Sequence, residues 1–381
     1  MTVLATLSAL ALLAWLCVLL APHQAHRLRE RLEADPALPD DLSSVAVLIP
    51  ARDETATIGR TVAALAAQGR GLAAIVVDDQ SSDGTAEVAL AAGRAAGAAI
   101  TLRVIAGQPL PAGWAGKLWA LEQGLAAVDR SHVLLLDADI ELAPHFVPTL
   151  LQVAHARGAS LVSIMAELNC TTLWERLLTP AFVLFFKLLY PFAWSNDPRR
   201  RTAAAAGGCM LVRTDALRAI GGFAAIRGAL IDDCTLAAAL KRASPPIWLG
   251  MSRSVRSLRV YGELRDFWNM VSRSAFTQLR YSTWLLLLAT VLMAVTLLAP
   301  VVGALAAAVA AEPRLALVAG SAWLAMGVAY GPVVTFYRLP AAWVLTLPLA
   351  AALFLAMTWS SAFGYWRGTS ANWKNRAYDA R

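Results

Sequence analysis

Charge is distributed along this chain in a way that leaves few architectures open. Residues 1–21 carry none, and residues 284–366 carry only Glu312, Arg314 and Arg338, while most acids and bases fall between 40 and 280. About 20 apolar residues suffice to cross a bilayer as a helix. The ends therefore read as membrane segments, and the charged middle, roughly 240 residues over 43–282, as one domain large enough for its own core. With 58% hydrophobic and 15% charged residues, the chain is too apolar for an ordinary soluble enzyme. Its apolar segments also lack the internal charge pairs expected of a transporter.

The first segment, 1–22, is followed rather than preceded by bases (His26, Arg27, Arg29, Arg31). A cleaved signal peptide would place them before the apolar run. Trailing bases hold their side in the cytoplasm, so the segment reads as an uncleaved anchor with its N-terminus outside and residues 23–42 as a linker. Three apolar stretches follow within 283–366, at about 284–310, 315–337 and 340–363, and a basic tail occupies 367–381. Three crossings would put that tail on the side opposite the central domain, against the positive-inside tendency, unless one stretch is re-entrant or interfacial. The net charge of +7 is assigned to lipid headgroups near the membrane segments, not to nucleic acid. Cys17, Cys170, Cys209 and Cys234 show no CxxC spacing, as expected of reduced thiols in a cytoplasmic domain.

Within the middle, apolar strands alternate with helices. Strands are predicted at Val45–Ile49, Ala74–Val77, Ile100–Ile105 and Val133–Leu136, and helices at about 54–68, 85–96 and 118–128. This is the pattern of an α/β domain with a mostly parallel central sheet covered on both faces. Such sheets bind ligands beyond the carboxyl ends of their strands, where the polar clusters of this sequence fall. Leu173–Trp194, aromatic and interrupted by Pro180 and Pro191, is read as a pair of helices at the membrane surface, with a buried core helix as the alternative.

Asp137-Ala138-Asp139 follows the fourth strand directly. On an extended segment the two carboxylates would point to opposite sides. Asp139 would then bind a hard cation, Mg²⁺ or Mn²⁺, with Asp137 on the ribose side or on a metal-bound water; the alternative is that Asp139 caps the helix near Pro144. Asp79, after the second strand, can accept the N–H of a uracil ring, and Pro50, Arg52 and Glu54 can wall the same base pocket. Asp83 is read as the N-cap of the next helix. Lys117, entering a helix behind Gly113 and Gly116, suits a diphosphate. Gly207 and Gly208 allow close backbone approach of a ligand. Asp232 and Asp233 open a helix, where capping alone would favour acids, and a base for an acceptor hydroxyl needs the same residue type.

In this order, Pro50 to Glu54, Asp78-Asp79 with Ser82 to Thr85, Gly116-Lys117, Asp137-x-Asp139, Gly207-Gly208 and Asp232-Asp233 resemble the family 2 glycosyltransferases over about 45–282. The resemblance implies a GT-A nucleotide-diphospho-sugar transferase fold. It implies a nucleotide-sugar donor (a UDP-sugar), with Glu54 and Asp79 at the nucleoside, Lys117 at the diphosphate, and Asp137 and Asp139 at the metal. Asp233 matches the last acid of the TED motif, the catalytic base, and Asp232 stands where that motif has Glu. Processive members carry QxxRW. Here Arg280-Tyr281 match Arg-Trp, but Gln278 lies one place too close; the three are expected on the acceptor side. The stretch 275–282 and the trailing apolar segments are similar to hopanoid-biosynthesis-associated transferases, and Trp373-Lys374-Asn375-Arg376-Ala377-Tyr378 resembles the WxxRxY ending of lipid glucosyltransferases. The implied reaction is an inverting transfer to a lipid hydroxyl at the membrane. Two alternatives stand beside it: transfer to a polyprenyl phosphate held by Arg253, Arg256, Arg259, Arg273 and Arg280, and a non-catalytic scaffold on the same fold.

Overall fold

A computed structural model describes residues 1–243 and 246–368, with the backbone of 372–373 and 376–377; the WxxRxY ending lies largely outside the described residues. After helix α1 (Thr2–Leu20) the chain alternates β1 (Val45–Ala51), α2 (Ile58–Leu65), β2 (Ala73–Asp78), α3 (Thr85–Ala96), β3 (Thr101–Ala106), α4 (Gly116–Leu125) and β4 (His132–Leu136). The order continues with β5 (Ile140–Leu142), α5 (Phe146–Arg157), β6 (Leu161–Glu167), α6 (Leu173–Leu189), α7 (Phe192–Asn196), β7 (Cys209–Arg213), α8 (Thr214–Ala219), α9 (Asp232–Ala243) and β8 (Ile247–Ser257).

One eight-stranded sheet results, in the order β3-β2-β1-β4-β7-β6-β8-β5. The first four neighbours are parallel, as is β6 with β8, while β7 runs antiparallel to both β4 and β6. All of β1 is buried, and its side chains alternate between two cores. Val45, Val47 and Ile49 pack with Ile58, Val62 and Leu65 of α2 and with Phe146 and Leu150 of α5. Ala46 and Leu48 pack with Leu118, Leu121 and Leu125 of α4 and Leu236 and Leu240 of α9. Period-two alternation into two apolar faces is what a covered central strand requires.

A third core joins the sheet to the apolar ends. It holds Trp15 of α1, Leu178 and Leu184 of α6, Leu249 and Met251 of β8, and residues of α10 (Leu264–Ser272), α14 (Pro313–Phe336) and α15 (Leu347–Trp366). Between α10 and α14 lie α11 (Ala275–Gln278), α12 (Thr283–Met293), a π-helical turn at Ala294–Leu298, and α13 (Ala299–Ala310). Pro300, which has no N–H, leaves the carbonyl of Thr296 without its helical partner; the indole Nε1 of Trp15 donates to it at 2.8 Å. Among the described residues four helices are long and apolar enough to cross a membrane: Thr2–Leu20, Thr283–Ala310, Pro313–Phe336 and Ala341–Trp366.

Residues 23–42, read as a linker, are tied to the sheet. Leu32 N and Met251 N exchange backbone bonds with Met251 O and Glu30 O, and the Glu33 carboxylate accepts from Ser252, Arg253 and Ser254. Leu173–Trp194 falls in two helices, α6 and α7, separated at Pro191. α6 runs unbroken through Pro180, its start fixed by a Thr172–Glu175 capping box, and one flank is buried against α14 and α15 while Leu173 and Leu189 stay exposed. The hydrophobic pattern showed the apolar flank but not what would cover it.

Where α13 passes α1, Gly303 is the close-contact point: a Cβ there would lie 2.7 Å from Ser8 Oγ and 3.1 Å from Ala319 Cβ. Gly303→Val should therefore cost about 1–3 kcal/mol by overpacking, read as a lowered melting temperature of the detergent-solubilised chain. An unchanged melting temperature would show that the helices part freely there.

Candidate active site

The carboxyl ends of β1 and β4, the start of β7 and the N-terminus of α9 open on one cleft of about 350 Å³. Its lining includes Pro50, Glu54, Lys117, Asp137, Asp139, Gly207, Gly208, Asp232, Asp233 and Arg259. The same lining includes the apolar Ile164, Met165, Leu168, Phe182 and Phe186, and also Tyr261 and Arg273.

Asp137 and Asp139 face the same cleft, not opposite sides. Residues 137–139 form a turn between β4 and β5, closed by Ile140 N donating to Asp137 O at 3.1 Å, and the turn undoes the strand alternation on which the sequence expectation rested. Nor does Asp139 cap α5, whose first N–H groups at Phe146 and Val147 go to Gln68 Oε1. Asp139 Oδ2 instead accepts from Arg259 Nε at 2.6 Å, and Arg259 Nη2 donates to Glu54 Oε1 at 3.0 Å.

Lys117 Nζ lies 2.7 Å from Asp137 Oδ1 and 3.6 Å from Asp232 Oδ2, joining the diacid turn to α9. Burial alone would strip the lysine of its proton, but the charges of Asp137 and Asp232 overcome it and keep the ammonium protonated. Burial pushes the Asp137 carboxyl upward, against the pull of Lys117. Asp233 is held by backbone: Oδ2 accepts from Gly207 N at 3.0 Å and Oδ1 from Cys234 N at 2.7 Å. A Cβ on Gly207 would sit 3.3 Å from that carboxylate and 3.5 Å from Lys117 Nζ, so the glycine keeps the three groups together. Burial, then the neighbouring charge of Asp232, pushes the Asp233 carboxyl up to about 7.

Other expected site residues lie elsewhere. Asp79 is fully buried and outside the cleft lining; Arg52 braces its loop, Nη1 donating to Asp79 O at 2.5 Å. Asp83 precedes the cap position, which is Gly84, and ties Thr85 to Thr55. Gln278, Arg280 and Tyr281 are outside the lining as well. Gln278 Nε2 donates to Tyr190 Oη at 2.5 Å, and Tyr281 stacks on Tyr365 of α15 at 4.5 Å. The five-arginine phosphate pocket does not assemble: Arg253 donates to Phe336 O at the end of α14, Arg256 lies 3.9 Å from Glu167, and only Arg259 and Arg273 line the cleft. The sequence reading groups Arg259 with four other arginines as an alternative phosphate pocket; it stands here between Asp139 and Glu54. Its spacing with Arg253 and Arg256 signalled a basic strand end but not that it meets acids from β1 and β4.

The sheet and its strand-end acids place the chain among the GT-A glycosyltransferases. A profile of the family described as "Glycosyltransferase like family 2" matches residues 41–275. The chain belongs to that family, and is an enzyme that transfers sugar from a nucleotide-sugar donor. It is similar in fold to the mannosyltransferase PcManGT from Pyrobaculum calidifontis, solved with GDP-Man and Mn²⁺, at 16% identity over 92% of this chain and 99% of that one, with a TM-score of 0.54. Glucosyl-3-phosphoglycerate synthase from Mycobacterium tuberculosis, solved with Mn²⁺ and UDP-glucose, aligns at 18% identity over 66% of this chain and 87% of that one, with a TM-score of 0.42. No curated protein matches the chain significantly.

Proposed function

We propose that this enzyme glycosylates a lipid hydroxyl, a hopanoid-type acceptor among the candidates, by inverting transfer at the cytoplasmic face of a membrane. The observation that carries this reading is the mixed lining of one cleft: carboxylates and a lysine together with Phe182 and Phe186 of a helix bedded on the apolar module. GDP-Man and UDP-glucose, bound by the two structural neighbours, bracket the donor class; a UDP-sugar is our first choice. Asp137 and Asp139 suit Mg²⁺ or Mn²⁺, because two carboxylates in one turn leave the remaining positions of a hard cation to diphosphate and water. Such a cation supplies charge that offsets the leaving diphosphate.

The chain's own groups do the rest. Pro50 and Glu54 border the donor end and Lys117 offers an ammonium to the diphosphate, with Arg52 and the buried Asp79 shaping the nucleoside side from beneath. Asp233 takes the proton of the acceptor hydroxyl. The oxygen attacks the anomeric carbon as its bond to the diphosphate breaks, and Gly207 and Gly208 leave room for that approach. Asp233 suits the base better than Asp232 because two backbone N–H groups aim it and no lysine neutralises it at short range. Among the described residues lining the cleft, Arg273 is the one arginine without an ion pair, a poor match to a polyprenyl phosphate, and the assembled site argues against a scaffold.

The membrane reading gains support from α15. Arg253 of β8 holds the end of α14 at Phe336, four residues before Pro340; Phe354 packs on Phe185 and Phe267; Trp268 Nε1 donates to Ser360 Oγ and Phe276 N to Ser361 Oγ. The end of α14 and the second half of α15 thus meet the catalytic domain, as suits an interfacial helix rather than a crossing. With three true crossings, Arg338 and the basic tail fall on the cytoplasmic side, as the positive-inside tendency asks.

Three outcomes are expected. Asp233→Asn should lower turnover by roughly 10²-fold or more with donor affinity kept, and the wild-type rate should rise with pH through about 7 as Asp233 ionises; if Asp232→Asn is the dead variant, the roles are exchanged. Replacing Phe182 and Phe186 by Ser should weaken transfer to a long-chain lipid in nanodiscs while hydrolysis of the donor by water persists; a parallel fall of both would make α6 purely structural. A C-terminal tag in intact spheroplasts should be shielded from protease like the catalytic domain, whereas cleavage from outside would mean that α15 crosses.

A further inference from the structure

The cation best placed at the proposed metal motif is one the chain already carries. Arg259 meets Asp139 at 2.6 Å and Glu54 at 3.0 Å, joining acids from the β4–β5 turn and the exit of β1. Two carboxylates from separate strands converge on one positive centre, which is the charge arrangement a divalent ion would also need. The backbone beneath this side chain is fixed. Leu258 N donates to Asp139 O at 2.7 Å, Asn169 Nδ2 to Arg259 O at 2.6 Å, and Tyr261 N to Glu175 Oε1 at 2.7 Å, the last being the buried acid that caps α6. The side chain itself is 40% exposed and lines the cleft. Its backbone is anchored and its head is open to a ligand, so the guanidinium can change partners while the loop stays in place. Lys117 differs: it is 20% exposed and sits between two acids, Asp137 and Asp232.

We propose that Arg259 is the resting counter-ion of the metal motif. Its guanidinium holds Asp139 and Glu54 until a divalent cation arriving with a nucleoside diphosphate takes Asp139, and the released guanidinium then pairs with the diphosphate. This rests on the reading of Asp139 as a metal ligand. The physical reasoning is one of competition and exchange. A metal ion alone must displace a tethered cation from a short, charge-assisted hydrogen bond and leaves that cation with nothing in return. A metal ion with a diphosphate offers the planar guanidinium fork a phosphate to which it is geometrically suited. Metal and nucleotide therefore strengthen each other's binding, and by linkage each does so by the same factor. The exchange also explains why an arginine stands between two acids of a donor site without leaving the site too positive for a cation: one positive charge is replaced by another as the substrate arrives.

Calorimetry on the full chain in nanodiscs tests this with Mn²⁺ alone, then with UDP and with GDP at saturating Mn²⁺. Arg259→Gln should bind free Mn²⁺ at least about tenfold more tightly than wild type, and should bind the better of the two diphosphates about tenfold more weakly. Arg259→Lys, which keeps a tethered cation, should stay within about threefold of wild type for free Mn²⁺. Damage to the fold weakens metal binding, so a gain in Arg259→Gln has no source other than removal of the competitor. Should that variant melt below wild type, Arg259→Met, uncharged and of similar length, is measured in its place. Free Mn²⁺ bound no more tightly by the folded uncharged variant overturns the proposal while leaving the metal assignment intact. Wild-type Mn²⁺ affinity in Asp139→Ala overturns the metal assignment itself, and the counter-ion role with it.

Discussion

Like charges crowded at the open end of a sheet are what the rest of this structure has to accommodate. Glu54, Asp137, Asp139, Asp232 and Asp233 all line one cleft, and such a cluster repels itself unless each member is answered. The answers come from three directions. Lys117, on the first turn of α4, stands between Asp137 and Asp232; Arg259, just past β8, stands between Asp139 and Glu54; and the N–H groups of Gly207 and Cys234 hold Asp233. Strand order places these elements side by side: β4 lies between β1 and β7 and carries the diacid turn, while β8 reaches back through β5 to cover it.

The apolar ends belong to the same construction. Trp15 of α1, the flank of α6, the first half of β8 and the helices α14 and α15 share one core, so the catalytic domain and the hydrophobic module do not hang from each other by a tether. α6 is the shared wall. Its first turn, through Glu175, holds the Tyr261 backbone next to Arg259, and two turns further on Phe182 and Phe186 face the cleft. Charged and apolar parts of the cleft lining are thereby braced by one helix.

Much of the fold could be read from residue order because β1, β2 and β4 are short, mainly apolar and followed closely by acids. Val45–Ala51 and His132–Leu136 leave no polar face to misassign, and the helix Thr85–Ala96 has the bounds its periodicity predicts. The diacid motif, Lys117 and the glycine pair were visible as local chemistry, and the cleft does bring them together. Long-range contacts were not visible. The Asp137–Asp139 geometry depends on a turn, Arg259 on a partner 120 residues away, and Gln278 and Tyr281 on aromatic neighbours at Tyr190 and Tyr365. Local pattern encodes which face of an element is apolar; it does not encode which element covers that face.

The central claim is that sugar moves from a nucleotide to a lipid within this cleft. Membranes containing the full chain, incubated with a panel of radiolabelled UDP- and GDP-sugars and then extracted with organic solvent, measure it directly. The account predicts label in the lipid phase from one donor, dependent on Mg²⁺ or Mn²⁺ and absent from membranes carrying Asp233→Asn. Label confined to the aqueous phase, as free sugar or a water-soluble glycoside, with every donor in the panel would contradict it.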